Sequence, residues 1–167
     1  MIALQITSMK NFMNQLLVSD TFDIFLMEEA VISTANTVTI DGHINKDFFS
    51  PEEMESMESC RYGLALWSDK KGMCFDLIKG RHTPLFFKFV LHLKPEQAEK
   101  LLRGGGCSVD PSCVKALVLT IRYDGENAVL TTGSAYNTFV MDKDADKLWD
   151  KSLAKYLASK GIACEGL

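Results

Sequence analysis

Residues 84–106, PLFFKFVLHLKPEQAEKLLRGGG, read as a strand running straight into a helix. Along Leu85–Leu93, Phe87, Phe89, Leu91 and Leu93 share one face, and Phe86, Lys88, Val90 and His92 share the other. A period of two is that of a strand with one side on the core. Pro95 suits the first helical turn, which needs no amide hydrogen there. Ala98, Leu101 and Leu102 form the apolar stripe of the helix, and Gly104-Gly105-Gly106 stops it.

The start of the chain has the same plan. Ile2, Leu4 and Ile6 alternate with Ala3, Gln5 and Thr7. Ser8 is the expected N-cap, and Met9, Phe12, Met13, Leu16 and Leu17 follow at the spacing of a core-facing helix. Residues 84–106 thus open a second unit that echoes the first in order of elements.

Phe22–Thr34 reads as a strand region with Leu26, Glu28, Ala30 and Ile32 on one face. Asn36 turns the chain into Thr37–Ile40, which closes at Asp41-Gly42, and His43–Phe49 extends that strand past a glycine bulge. Ser50–Ser59 is a short acidic helix and Tyr62–Trp67 a strand. Lys70-Lys71-Gly72 is a turn, and Met73–Lys79 a short helix ended by Gly80. Val114–Tyr123 and Ala128–Thr132 flank the hairpin turn Asp124-Gly125-Glu126-Asn127. Gly133-Ser134 turns again into a third strand, Tyr136–Met141. A last helix, capped by Asp142 or Asp144, carries Leu148, Trp149, Leu153, Tyr156 and Leu157 on one side and ends at Gly161.

A chain of 167 residues fits a single domain, 1–167, with internal halves at 1–49 and 85–141. Net charge −4 argues against an electrostatically driven binder of nucleic acid or anionic membranes, a local basic patch apart. Met1–Thr7 is too short and lacks the basic start of a secretory leader, and no apolar run approaches a membrane span. Five scattered cysteines, Cys60, Cys74, Cys107, Cys113 and Cys164, fit reduced thiols and a cytoplasmic location.

The fold class expected is α+β: pseudo-duplicated strand-helix-strand-strand units, antiparallel sheets with the helices packed on one face, and a C-terminal helix. This order resembles one domain of a sliding DNA clamp, over residues 2–49 and 85–141. The resemblance implies basic residues on the helices that face DNA; here they are Lys10 on the first, and Lys94, Lys100 and Arg103 on the second against Glu96 and Glu99. The stretches FDIFLMEEAVIST, TIDGHINKDFF, LALWSD, CFDLIKGRHTPLFFKF, LTIRYDG and LTTGSAYNTF are similar to those of an uncharacterised family of bacterial proteins. That resemblance implies no particular activity.

Two polar stretches are candidates for chemistry. In Asp41-Gly42-His43-Ile44-Asn45-Lys46, Asp41 and His43 lie two apart on a strand and can form an acid–base pair; the plainer reading is a hairpin end. In Asp76-Leu77-Ile78-Lys79-Gly80-Arg81-His82-Thr83, Lys79, Arg81 and His82 can bind a phosphate or carboxylate. There the plainer reading is basic residues complementing a helix C-terminus. His43, His82 and His92 have no metal-ligand spacing, Ser134 lacks a nucleophile elbow, and no cofactor is implied. Trp67 and Trp149 are expected in the core.

The function expected first is a non-enzymatic, cytoplasmic, clamp-like domain acting through protein contacts, with a homodimer through edge strands such as Tyr136–Met141. The alternative is a small-molecule binder or enzyme using Asp41, His43, Arg81 and His82, which requires those residues to converge. A third reading, association with DNA, uses Lys94, Lys100 and Arg103.

Overall fold

The computed structural model describes residues 1–167. The chain runs β1 (Ala3–Ile6), α1 (Met9–Leu17), β2 (Phe25–Ser33), β3 (Thr37–Asp41), α2 (Pro51–Ser56), α3 (Glu58–Tyr62), β4 (Ala65–Leu66), α4 (Trp67–Ile78), β5 (Phe86–Leu93), α5 (Pro95–Gly104), β6 (Val114–Tyr123), β7 (Ala128–Tyr136), α6 (Asp144–Ser159) and β8 (Cys164–Gly166). The strands form one antiparallel sheet in the order β3-β2-β5-β6-β7-β1-β8, and β4 also pairs with β2.

β5 is an inner strand of this sheet, between β2 and β6. Its alternation is as read: Phe87, Phe89, Leu91 and Leu93 are buried, and the residues between them are half-buried. Its partners put Ala30, Ile32, Leu119 and Ile121 on that same side. The face is covered by Phe12 and Leu16 of α1, Trp67 and Cys74 of α4, and Trp149, Leu153 and Leu157 of α6, with Ala98 and Leu101 of α5 beside them. Both tryptophans are core residues with satisfied indoles, since Trp67 Nε1 donates to Leu16 O and Trp149 Nε1 to Val118 O, each at 3.0 Å. Burial pushes the Cys74 thiol up to about 12, and all five cysteines are free.

The order of elements repeats between the halves, but the pairing does not. β5 lies beside β6, the strand that follows its helix, whereas β1 is carried across the sheet to β7. A β-bulge between Met27 and Glu29 also changes the faces of β2. Leu26 pairs with His92 on the open side and Ala30 with Phe89 on the helix side, so they do not share a face as the plain alternation suggested.

Other expectations are corrected by tertiary pairing. Lys70-Lys71-Gly72 is no turn: α4 runs through it, and Lys71 Nζ is held by Asp23 at 2.8 Å and by Ser19 O at 2.8 Å. Of Tyr62–Trp67 only Ala65–Leu66 is strand, because Tyr62 ends α3 and Trp67 begins α4. His43–Phe49 does not extend β3; His43 makes one isolated bridge to Leu64, and Lys46–Phe48 is a 3₁₀ turn. Gly133-Ser134 does not turn, since β7 pairs with β6 straight through to Tyr136. The expected strand Tyr136–Met141 is therefore a loop beyond Tyr136, with Phe139 and Met141 exposed. The three-residue β8 had no sequence signal.

Candidate functional site

On the open side of the sheet, the chain from Gly42 to Leu66 folds over one end and forms a cleft of about 480 Å³. The first device that shapes it is the bulge in β2. Met27 pairs with Leu91 and Glu29 with Val90, which leaves Glu28 as the extra residue. Such a residue can be aimed independently of the pleat. Glu28 Oε2 lies 2.9 Å from His92 Nε2. An ionised carboxylate only accepts, so His92 donates from that nitrogen.

Gly42 meets β2 at the same point. Its amide donates to Glu28 O at 2.8 Å and its carbonyl accepts from Ala65 N at 2.7 Å. A Cβ there would stand 1.8 Å from Met27 O and 2.8 Å from Met27 C, so only glycine fits. This close approach carries His43 onto its bridge with Leu64, at the rim of the cleft. Asp41 Oδ1 accepts from the His43 amide at 2.9 Å and lies 2.6 Å from His43 Nδ1. The His43 backbone amide first, and its ring second, hold the Asp41 carboxyl below the usual range. With Nδ1 donating to Asp41, Nε2 is left as the basic nitrogen of the ring.

A second bulge, between Val114 and Ala116 of β6, makes Lys115 the extra residue on the other side of the cleft. None of the ion pairs in the structure uses Lys115. Between these groups the lining is apolar and small: Leu26, Ala116, Val118 and Ala135. Tyr62, also in the lining, donates its hydroxyl to Glu96 of α5. That bond is the main cause holding Glu96 below the usual carboxylate range, while burial first and Glu96 second raise Tyr62. The cleft thus offers a carboxylate-oriented imidazole, a second imidazole–carboxylate pair and an unpaired cation around an apolar floor. Those are the parts of a general-base site for a small anionic ligand. No group of three or more His, Cys, Asp or Glu is placed to hold a metal ion.

The structure brings Asp41 and His43 together and sets Lys79, Arg81 and His82 apart from them. Arg81 and His82 precede the start of β5, whereas His92 lies near its end. Six residues of strand from Phe86 to His92 span roughly 20 Å. Lys79 Nζ pairs with Asp76 at 3.0 Å and lies over the Phe75 ring, while Arg81 and His82 are exposed. Two of the three basic residues at and in α5 are held by carboxylates. Lys94 pairs with Glu58 at 3.4 Å, Arg103 with Glu99 at 2.9 Å, and Lys100 borders a groove between α5 and α6.

Sequence reasoning missed Glu28, Tyr62, His92 and Lys115 as site residues. The one signal was His92, an ionisable group in the outward row of an otherwise apolar strand. The other three reach the cleft through bulges or a helix end.

Fold and cleft together define a class: one antiparallel sheet with α1, α4, α5 and α6 on one face, and on the other a cleft under α3 lined by ionisable residues. The chain belongs to a family of unknown function, DUF5721, whose family model matches residues 15–165. The matched span contains every residue of the cleft. No curated protein and no solved structure matches the chain.

Proposed function

We propose that the cleft binds a small molecule bearing a carboxylate or phosphate and that His43 acts on it as a general base. Asp41 keeps the His43 ring in the tautomer with Nε2 unprotonated and stabilises the imidazolium that forms when Nε2 takes a proton. Lys115 supplies the attraction for the anion. The observation that carries this reading is the pair of bulges. The two register slips in the sheet each deliver their extra residue, Glu28 and Lys115, to this one cleft. Bulges re-aim single side chains and concentrate beside active sites.

The test is an NMR titration with inorganic phosphate and with malonate, following the ring C–H signals of the three histidines. Saturable shifts at His43 and His92, with His82 unmoved, are expected. Lys115→Met is expected to weaken binding about tenfold, the worth of one charge-assisted hydrogen bond. Equal shifts at all three rings, or none, would overturn the reading.

A second reading, action through protein contacts, is supported by the unpaired outer edge of β3. The DNA reading finds no such support, because Lys94 and Arg103 are already paired with carboxylates.

A further inference from the structure

We infer that β3 is a self-pairing edge: a second copy of this chain adds its own β3 antiparallel across a two-fold axis at Thr39. β3 is the outermost strand of the sheet on its side. Thr34 N donates to Asn36 O at 3.0 Å and Gly42 N to Glu28 O at 2.8 Å, which fixes the even-numbered residues of β3 as those bonded inward to β2. The backbone groups of Thr37, Thr39 and Asp41 therefore face outward. They are three donors and three acceptors in a row.

The side chains match this row. Antiparallel pairing about Thr39 sets Thr37 opposite the partner's Asp41, and Thr39 opposite the partner's Thr39. Val38 then lies opposite the partner's Ile40. Hydroxyl meets carboxylate, hydroxyl meets hydroxyl, and apolar meets apolar, all favourable cross-strand pairs. Val38 and Ile40 lie on the helix side, since they pair with Ile32 and Ala30. Val38 is 37% exposed and gains cover. The two Asp41 carboxylates, the only charges on the strands, end up roughly 14 Å apart, beyond the screening length at physiological salt.

Solitary edges usually carry a lysine, a proline or a bulge against such pairing. Thr37–Asp41 has none of these. The opposite edge, β8, is three residues long with Gly166 in it. The two-fold also sets the partner's Thr37 beside Asp41, which orients His43, so each cleft is flanked by a residue of the other copy. The pairing rests on the edge alone and stands whether or not the cleft binds an anion.

A five-residue pairing lies at the small end of specific interfaces, so a dissociation constant on the order of 10 µM is expected. Sedimentation velocity from about 1 to about 200 µM is expected to show a reversible shift from one chain of 18.6 kDa to two. Thr39→Pro removes only an outward amide and leaves the bonds to β2 in place. Thr39→Lys sets two like charges across the axis. Both variants should remain monomeric throughout that range, with unchanged circular dichroism. Should one variant fail to fold, the other decides. A wild type monomeric at every concentration, or a dimer that persists in a folded variant, would overturn the inference.

Discussion

The turns at Gly42 and Gly80 hold similar residues and do different work. Each has a glycine, a histidine, an acid and a lysine within a few positions. At Gly42 the backbone presses against Met27 and Glu28, and His43 is held by Asp41 near the His92–Glu28 pair. Gly80 sits at φ 149° with open space around it, and His82 is exposed. What differs between the two turns is the distant strands that come beside them, not their local composition. Glu28 and His92 are 64 positions apart and meet only because β2 pairs with β5.

The strongest way to break this contrast is at the glycines themselves. Gly42→Ala forces a Cβ into a backbone carbonyl that cannot step aside, and should cost about 3 kcal/mol or more, or prevent folding. Gly80→Ala meets no atom and pays only backbone strain, about 1–2 kcal/mol. Urea unfolding of both variants checks the order; equal losses would mean that Gly42 is not packed as described.

Binding comes next. His43→Asn should weaken phosphate binding about tenfold, because it removes the unprotonated Nε2 that accepts from a protonated phosphate oxygen. His82→Asn should leave it unchanged. Calorimetric titration of the two variants separates the turns directly, and a loss in both would place the ligand elsewhere.

pH separates the two turns as well. Hydrogen bonds from His43 hold Asp41 below its ordinary pKa of 3.8. Its contribution to stability is therefore present above that ordinary value and is lost as pH falls through the depressed one. Asp41→Asn should then be less stable than wild type at pH 7, with the gap closing in acid. Urea midpoints of both proteins from neutral pH downward test the sign, and a gap that widens in acid would refute it.

The smallest effect belongs to the Gly80 side. Lys79→Met removes an exposed i,i+3 pair with Asp76 and should change stability by less than about 0.5 kcal/mol. Thermal unfolding checks this, and a larger loss would show that the turn holds more than a helix end.

Much of the local structure was legible because it is written in periods. The alternation of β5, the helical stripes of α1 and α6, the glycine stop after α5 and the hairpin at Asp124–Asn127 all stand where the residues put them. The failures share a cause. Lys70-Lys71-Gly72 and Gly133-Ser134 have turn composition, but α4 and β7 run through them. Distant partners, Asp23 and Ser19 in one case and β6 in the other, outweigh local preference. Of the site, Asp41 and His43 were legible because they are neighbours in sequence. Glu28 and Lys115 were not, since a bulge is a one-residue slip between two strands and has no mark in either strand alone.

An α+β chain, and the closeness of Asp41 to His43, could be read from the residues alone. Both follow from short-range periodicity and spacing, which are properties of single elements. Only the tertiary structure decided that β1 crosses to β7, that two bulges open on one cleft, and that β3 rather than Tyr136–Met141 is the outer edge. Those depend on which strands pair and in what register, and pairing is settled by the shared burial of residues far apart in the chain.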